Sequence, residues 1–249
     1  MAEAQRVAVI TGASAGIGAA TALRLSKSGF QVILGARRKE RLEEIARDCG
    51  GRAVELDVTD EKSIEKLAAG LDRVDVLVNN AGLARGRDHI SELSADAARL
   101  MWETNVMGLI SMTRILLPFI ESARGHIVNV GSTAGREAYP GGGGYSSTKH
   151  AVRAITQTLR LELVGKPIRI TEIAPGLVET EFSMVRFGDE TEARKVYAGI
   201  EALTADDIAD CIDWAVSRPP RVNIDEIVVR PVAQANSTVI ARSEPEAPR

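Results

Sequence analysis

Short apolar runs alternate along the chain with longer stretches in which apolar residues recur every three or four positions. The runs Arg6–Thr11, Gln31–Ala36, Arg52–Val58, Val74–Asn79, Gly125–Gly131, Ile168–Ala174 and Ile224–Val229 read as strands. Between them Ile17–Ser28, Lys39–Asp48, Asp60–Leu71, Ser94–Ser122, Gly144–Gly165 and Thr204–Ser217 carry helical spacing. Asp60 stands where an N-cap would. Strands taken in turn with helices predict βαβ units, a parallel sheet and right-handed crossovers. The strand runs are nearly all apolar, as in a sheet covered on both faces. The expected fold is a single-domain, Rossmann-type, doubly wound parallel sheet of seven strands over residues 1–235. A flexible polar tail is expected at 236–249. The segment Glu179–Ile200 departs from the pattern. It is polar, Gly-interrupted, and leaves the sixth strand at the end where open α/β sheets bind ligands. That makes it a lid candidate.

Composition narrows the function. The 249 residues are 45% hydrophobic and 26% charged, enough for a sizeable core and too apolar for disorder. A net charge of −3 leaves no electrostatic footprint for nucleic acid. With 4% aromatics there is little material for a base-stacking platform or a carbohydrate groove. Cys49 and Cys211 are far apart with no metal or redox spacing, and read as reduced packing thiols. His89, His126 and His150 are scattered, so no metal site is expected. Val7–Ile10 is too short for the core of a signal peptide. No apolar stretch approaches the roughly 20 residues of a membrane span. The expectation is a cytoplasmic protein that handles a small molecule, with no nucleic acid and no membrane as partner.

The first strand runs into Thr11-Gly12-Ala13-Ser14-Ala15-Gly16-Ile17-Gly18, which opens a helix. Glycines allow a sharp turn and close approach, and the helix start offers free N–H groups to a phosphate. The spacing differs from the common G-x-G-x-x-G, and a glycine-rich packing turn is the plainer alternative. Nucleotide folds that bind NAD place an acid at the end of the second strand, about 20 residues on. Here that strand ends Gly35-Ala36-Arg37-Arg38. Guanidinium groups suit a phosphate, so the expected cofactor is NADP(H), its 2′-phosphate held by Arg37, Arg38 and Ser14. A solvated basic pair is the alternative.

Tyr145 and Lys149 lie one helical turn apart, so the ammonium can approach the phenol and favour its ionised form. Ser132 ends the fifth strand and Asn79-Asn80-Ala81-Gly82 ends the fourth, at the same sheet edge. Asn105 falls inside a long helix, where asparagine is disfavoured. The order TGASAGIG, NNAG, Asn105, Ser132, Tyr145-x-x-x-Lys149, Pro175-Gly176 resembles the short-chain dehydrogenase/reductase family from Arg6 to about Val229.

The resemblance implies an oxidoreductase with a tetrad of Asn105, Ser132, Tyr145 and Lys149. In that family the tyrosine is general acid/base and the serine holds the substrate oxygen. The lysine tunes the tyrosine and holds the nicotinamide ribose, and the asparagine positions a water. The resemblance implies cofactor contacts at Gly12, Ser14, Gly16, Ile17 and Gly18, Asp57 and Val58 by the adenine, Asn79, Ala81 and Gly82, Pro175 and Gly176, and Thr180 by the nicotinamide amide. It further implies a homotetramer or homodimer built on the long helices 94–122 and 144–165.

The stretch Pro175–Phe187, with Val222-Asn223-Ile224 and Arg230–Gln234, is similar to the branch of NADP-dependent 3-hydroxy acid dehydrogenases acting on serine and L-allo-threonine. Such substrates carry a carboxylate, for which Arg186, then Arg85, are the candidates. Two other functions stay open: reduction of a larger ketone or aldehyde, such as an acyl-carrier or secondary-metabolite substrate, and a non-catalytic NADP(H) sensor.

Overall fold

The computed structural model describes residues 5–243. Seven strands form one sheet: β1 Val7–Thr11, β2 Gln31–Ala36, β3 Arg52–Glu55, β4 Val76–Asn79, β5 His126–Val130, β6 Arg169–Pro175 and β7 Glu226–Val229. Their order is β3-β2-β1-β4-β5-β6-β7, and every pairing is parallel. The chain winds outward from β1 in one direction and from β4 in the other. The crevice between their carboxyl ends is the place where such sheets bind ligands.

Side chains alternate across the sheet and sort into two cores. Ala8 and Ile10 of β1, Val32 and Leu34 of β2, and Val76 and Val78 of β4 face one side. There they meet α1 (Gly16–Lys27), α2 (Lys39–Cys49) and α9 (Ala205–Val216) through Leu25, Leu42 and Ile208. Val9, Ile33, Leu77 and Ile127 face the other side. They meet α3 (Glu61–Ala68) and α5 (Gly108–Ala123) through Ile64, Met112, Leu116 and Ile120. Asp60 caps α3 as the sequence suggests, accepting from the Lys62 amide at 3.0 Å. Cys49 and Cys211 are both free and half-buried against the first core.

The structure departs from the sequence reading in three places. The long helix comprises α4 (Ala95–Trp102), a π-helical turn over Glu103–Met107, and α5. As one 29-residue unit, Ala95–Ala123, it is long and apolar enough to cross a membrane by length and composition, contrary to the expectation that no stretch is. Met112, Leu116 and Ile120 show what part of that apolarity is for, because they lie at 0% exposure under the sheet. Second, the polar segment 179–200, to which the sequence pattern assigns no helix, is largely helical. It folds into α7 (Phe182–Phe187) and α8 (Glu190–Tyr197), separated at Gly188, whose φ of +66° no L side chain adopts easily. Asp189 then caps α8 by accepting from the Glu192 amide at 3.0 Å. Third, the tail expected from 236 onward is held as far as 243. Glu137 accepts from the Ser237 amide at 2.8 Å, and the Ser243 amide donates to Gly199 O at 2.8 Å. Residues 244–249 lie outside the described residues.

His126 starts β5 at 0% exposure, with Nε2 2.7 Å from Thr171 Oγ1. Burial, with the charge of Arg169, pushes its pKa down from 6.5 to about 3. The folded value is the lower one, so the unfolded chain takes up the proton first. The stabilisation is complete above about pH 6.5 and is lost as pH falls toward 3. Urea unfolding compared between about pH 6.5 and pH 4.5 should show a loss of about 2 kcal/mol from this group. His126→Asn should remove that increment of slope; equal slopes in the two proteins would place the acid sensitivity elsewhere.

Candidate active site

The site is built where the loops after β1 and β4 meet. Gly12 and Gly16 have φ of +66° and +53°, so the turn after β1 needs residues without a Cβ. Space requires it as well: a Cβ on Gly18 would lie 2.5 Å from Gly12 O. Thr11 Oγ1 accepts from the amides of Asn80 at 3.0 Å and Ala81 at 2.9 Å, and Asn80 Nδ2 donates to Thr11 O at 2.9 Å. The two loops therefore hold each other. α1 starts at Gly16 with Ala15 at its N-cap, without a side-chain cap and without an acid in its first turn. Its first N–H groups are left for a ligand.

At the outer end of the crevice Arg38 Nε donates to Ser14 Oγ at 3.1 Å, and Arg38 NH1 lies 2.8 Å from Glu181 Oε2. Arg41 pairs with the other oxygen of Glu181. Hydrogen bonds from Arg41 and then Arg38 hold the Glu181 carboxyl below the usual range. Arg37, placed first by the sequence, is exposed, and its charge acts on Asp57. Burial raises the Asp57 carboxyl, but bonds from the Thr59 amide and hydroxyl, helped by Arg37, outweigh it and hold the group low. Of the two arginines it is thus Arg38 that stands beside Ser14.

At the inner end Ser132 follows β5. Its Oγ accepts from the Ala134 amide at 3.1 Å and donates to Pro175 O at 3.4 Å. Tyr145 and Lys149 project from α6 (Gly143–Glu162), and Lys149 Nζ lies 5.8 Å from the Tyr145 ring centre. Burial pushes the Tyr145 phenol up; a hydrogen bond with Ser132 works against that, Tyr139 adds to the rise, and the charge of Arg186 lowers it. Lys149 is buried, donates to Val130 O at 2.8 Å, and burial lowers its pKa to about 8. The charge opposing that fall is Glu172, which is 2% exposed in the middle of β6. Glu172 Oε1 is buried without a hydrogen-bond partner, and a Cβ on Gly131 would collide with it. Burial raises Glu172's own pKa, opposed by Arg136, Lys149, Arg153 and Arg160.

Asn105 sits in the π-helical turn and is 2% exposed. Its Oδ1 accepts from the Leu83 amide at 2.8 Å, and its Nδ2 donates to Leu83 O at 2.8 Å and Thr148 Oγ1 at 3.0 Å. The side chain braces the loop after β4 against α6, and the π turn explains how an asparagine fits mid-helix. Asn79 is buried as well, donating to Thr113 Oγ1 at 3.0 Å and Asn129 Oδ1 at 2.9 Å beneath the site.

A cavity of about 890 Å³ joins the two ends. Gly12, Gly16, Ile17, Arg38, Ala81, Gly82, Ser132, Tyr145, Lys149, Pro175, Gly176, Thr180 and Arg186 line it. Ser14, Gly18, Arg37, Asp57, Val58, Asn79, Arg85 and Asn105 are not part of that lining. Arg186, on α7, donates through Nε to Gly86 O at 2.9 Å and through NH1 to Tyr139 Oη at 3.3 Å. Its NH2 is buried and unpartnered, and its guanidinium carbon lies 5.8 Å from the Tyr145 ring centre. Arg85 is exposed and donates to Val185 O at 2.9 Å, which secures α7 from outside. Glu172, Glu181 and Arg41 are additions that the sequence did not single out, and Asn80, read there only as part of the motif, gains its role as the tie to Thr11. Of these, Glu172 carried a local signal, a carboxylate inside the strand run Ile168–Ala174.

The family model described as short chain dehydrogenase matches residues 6–191. An oxidoreductase of Mycobacterium tuberculosis is 52% identical over 236 residues, 94% of each chain. The NADP-dependent 3-hydroxy acid dehydrogenase of Schizosaccharomyces pombe is 45% identical, over 95% of this chain and 96% of its own. Among solved structures, the closed form of a serine dehydrogenase complexed with NADP+ superposes with a TM-score of 0.91 at 39% identity, covering 96% of this chain and 100% of that one.

Because Glu172 is the charge that supports the Lys149 ammonium, Glu172→Gln should lower the Lys149 pKa below its value of about 8. Heteronuclear NMR titration of the lysine amine reads this directly. A Lys149 pKa that stays put or rises in the variant would remove Glu172 from the account.

Proposed function

Because the chain belongs to the short-chain dehydrogenase family, we propose that it is the NADP(H)-dependent oxidoreductase of a short 3-hydroxy acid, such as serine or 3-hydroxyisobutyrate. The observation that carries this reading is Arg186. A guanidinium with a free, buried NH2 beside the Tyr145 ring suits a small anionic substrate held next to an acid/base. The relatives named for 3-hydroxy acids and serine support the same substrate class.

The residues fit the cofactor. The glycine turn leaves no room for side chains at Gly12 and Gly18, and the uncapped start of α1 supplies N–H donors for a pyrophosphate. Arg38 and Ser14 supply a cation and a hydroxyl for the 2′-phosphate, with Arg37 adding charge nearby. NADP(H), when bound, supplies or accepts the hydride. The chain has to bind the substrate, orient it, and move one proton at the substrate oxygen.

Tyr145 is the group for that proton. Burial keeps it a phenol in the free protein, ready to donate. Withdrawing the proton in the other direction requires cations, and Lys149 and Arg186 both lie within 6 Å of its ring centre. Ser132, on the same cavity lining as Tyr145, holds the substrate oxygen. Lys149 holds charge beside the phenol and a hydroxyl of the ribose. Asn105 acts from behind by fixing the loop after β4. The exposed apolar residues Trp102 and Met107 on the long helix, with Leu161 on α6 and Val164 just beyond it, support assembly into a dimer or tetramer through those faces.

Arg186→Ala should raise KM for 3-hydroxy acids about a hundredfold, the scale of one strong charge-assisted hydrogen bond, and spare neutral alcohols. Steady-state kinetics on serine, 3-hydroxyisobutyrate and a neutral ketone decide it; an unchanged KM for the acids would exclude the carboxylate role. Tyr145→Phe should abolish turnover, by at least about a thousandfold, while cofactor still binds. A variant with unimpaired turnover, or a wild-type chain with none, would favour a sensor.

A further inference from the structure

Glu181 directly precedes α7, and its carboxylate reaches across the outer end of the cavity. One oxygen lies 2.8 Å from Arg38 NH1 and the other pairs with Arg41. The same Arg38 donates through Nε to Ser14 at 3.1 Å. One residue earlier, Thr180 closes on the glycine turn: a Cβ on Gly16 would lie 3.2 Å from Thr180 Cβ. The segment 179–200 is therefore strapped over the crevice at two adjacent residues, by one steric contact and one charged contact.

The charged contact has no evident folding duty. The Glu181 side chain is 42% exposed, and both arginines are about half exposed, at 48% and 50%. Ion pairs at such exposure contribute little to stability and exchange readily for a better anion. We propose that Glu181 stands in for the 2′-phosphate of the cofactor, so that its carboxylate occupies Arg38 in the free protein and NADP(H) must displace it. This rests on the NADP(H) reading above.

The argument is electrostatic. Arg38 has Nε committed to Ser14, which leaves one outward fork edge for an anion. A carboxylate and a phosphate competing for that edge repel each other. Arg41, one turn further along α2, keeps Glu181 when Arg38 is taken, so the strap stays tethered while the crevice fills. A cofactor without the phosphate meets no such competition. Glu181 then determines specificity against the arginines: it weakens NADP(H) binding and leaves NAD(H) untouched.

Calorimetric titration of the full chain with NADPH and with NADH, for wild type and Glu181→Gln, tests this without turnover. The variant should bind NADPH about fivefold tighter and NADH within about twofold of wild type. The gain should fade in about 0.5 M salt, because the pair is exposed. Unchanged or weaker NADPH binding would overturn the proposal, since Glu181 would then support Arg38 or hold the strap. Equal tightening of NADH, or a gain indifferent to salt, would overturn it too. Arg38→Gln in the same titrations separates the premise: equal losses for NADPH and NADH would sink the NADP(H) reading itself.

Discussion

The hydrogen bonds between Thr11 and the Asn80-Ala81 backbone join the two strands from which the sheet winds in opposite directions. Nearly everything else at the site takes its position from this tie. It sets the glycine turn at the distance where only hydrogen fits between Gly18 and Gly12 O. It aims the free start of α1 into the crevice, and it seats the loop that Asn105 grips through Leu83. Asn105 in turn reaches Thr148, next to Lys149 on α6. A chain of short polar contacts thus runs from the cofactor turn to the acid/base helix.

The inner end of the site works by burying charge that has partners nearby. Lys149 and Glu172 are each almost without exposure, and each is pushed toward neutrality by burial. Such pairs are costly to desolvate and seldom repay that in stability. Their presence, with Lys149 5.8 Å from the Tyr145 ring centre, is better understood as tuning, because charges act strongly on one another where water is excluded. The outer end follows the opposite logic. Arg38, Arg41 and Glu181 are half exposed, so their contacts are weak, exchangeable and sensitive to salt. A site that must hold a proton tightly and let a cofactor come and go benefits from both regimes.

Some of this was legible in the residues. The strand runs, the helical periods, Asp60 as a cap and the order of the motifs follow from local spacing, because side-chain direction is fixed by secondary structure within a few residues. Seven strands alternating with helices leave few topologies once right-handed crossovers are required. The glycine turn and the Tyr145–Lys149 pair were readable for the same reason, since each acts within a single turn.

Other features had no local mark. That Arg38 rather than Arg37 meets Ser14 depends on how β2 leads into α2, a matter of one residue's direction. Glu172 comes under Lys149 only because β6 is paired with β5 in the register that sets Glu172 beside Asn129. Glu181 finds Arg38 and Arg41 from 143 and 140 residues away along the chain. The length and apolarity of the helix from Ala95 to Ala123 were there to be read, yet its π turn and buried face emerged from packing on the sheet. Periodicity therefore determined the elements, their order and the chemistry within each turn. Register, crossover and close packing decided which distant charges meet, because those contacts are made between elements and leave no trace in local spacing.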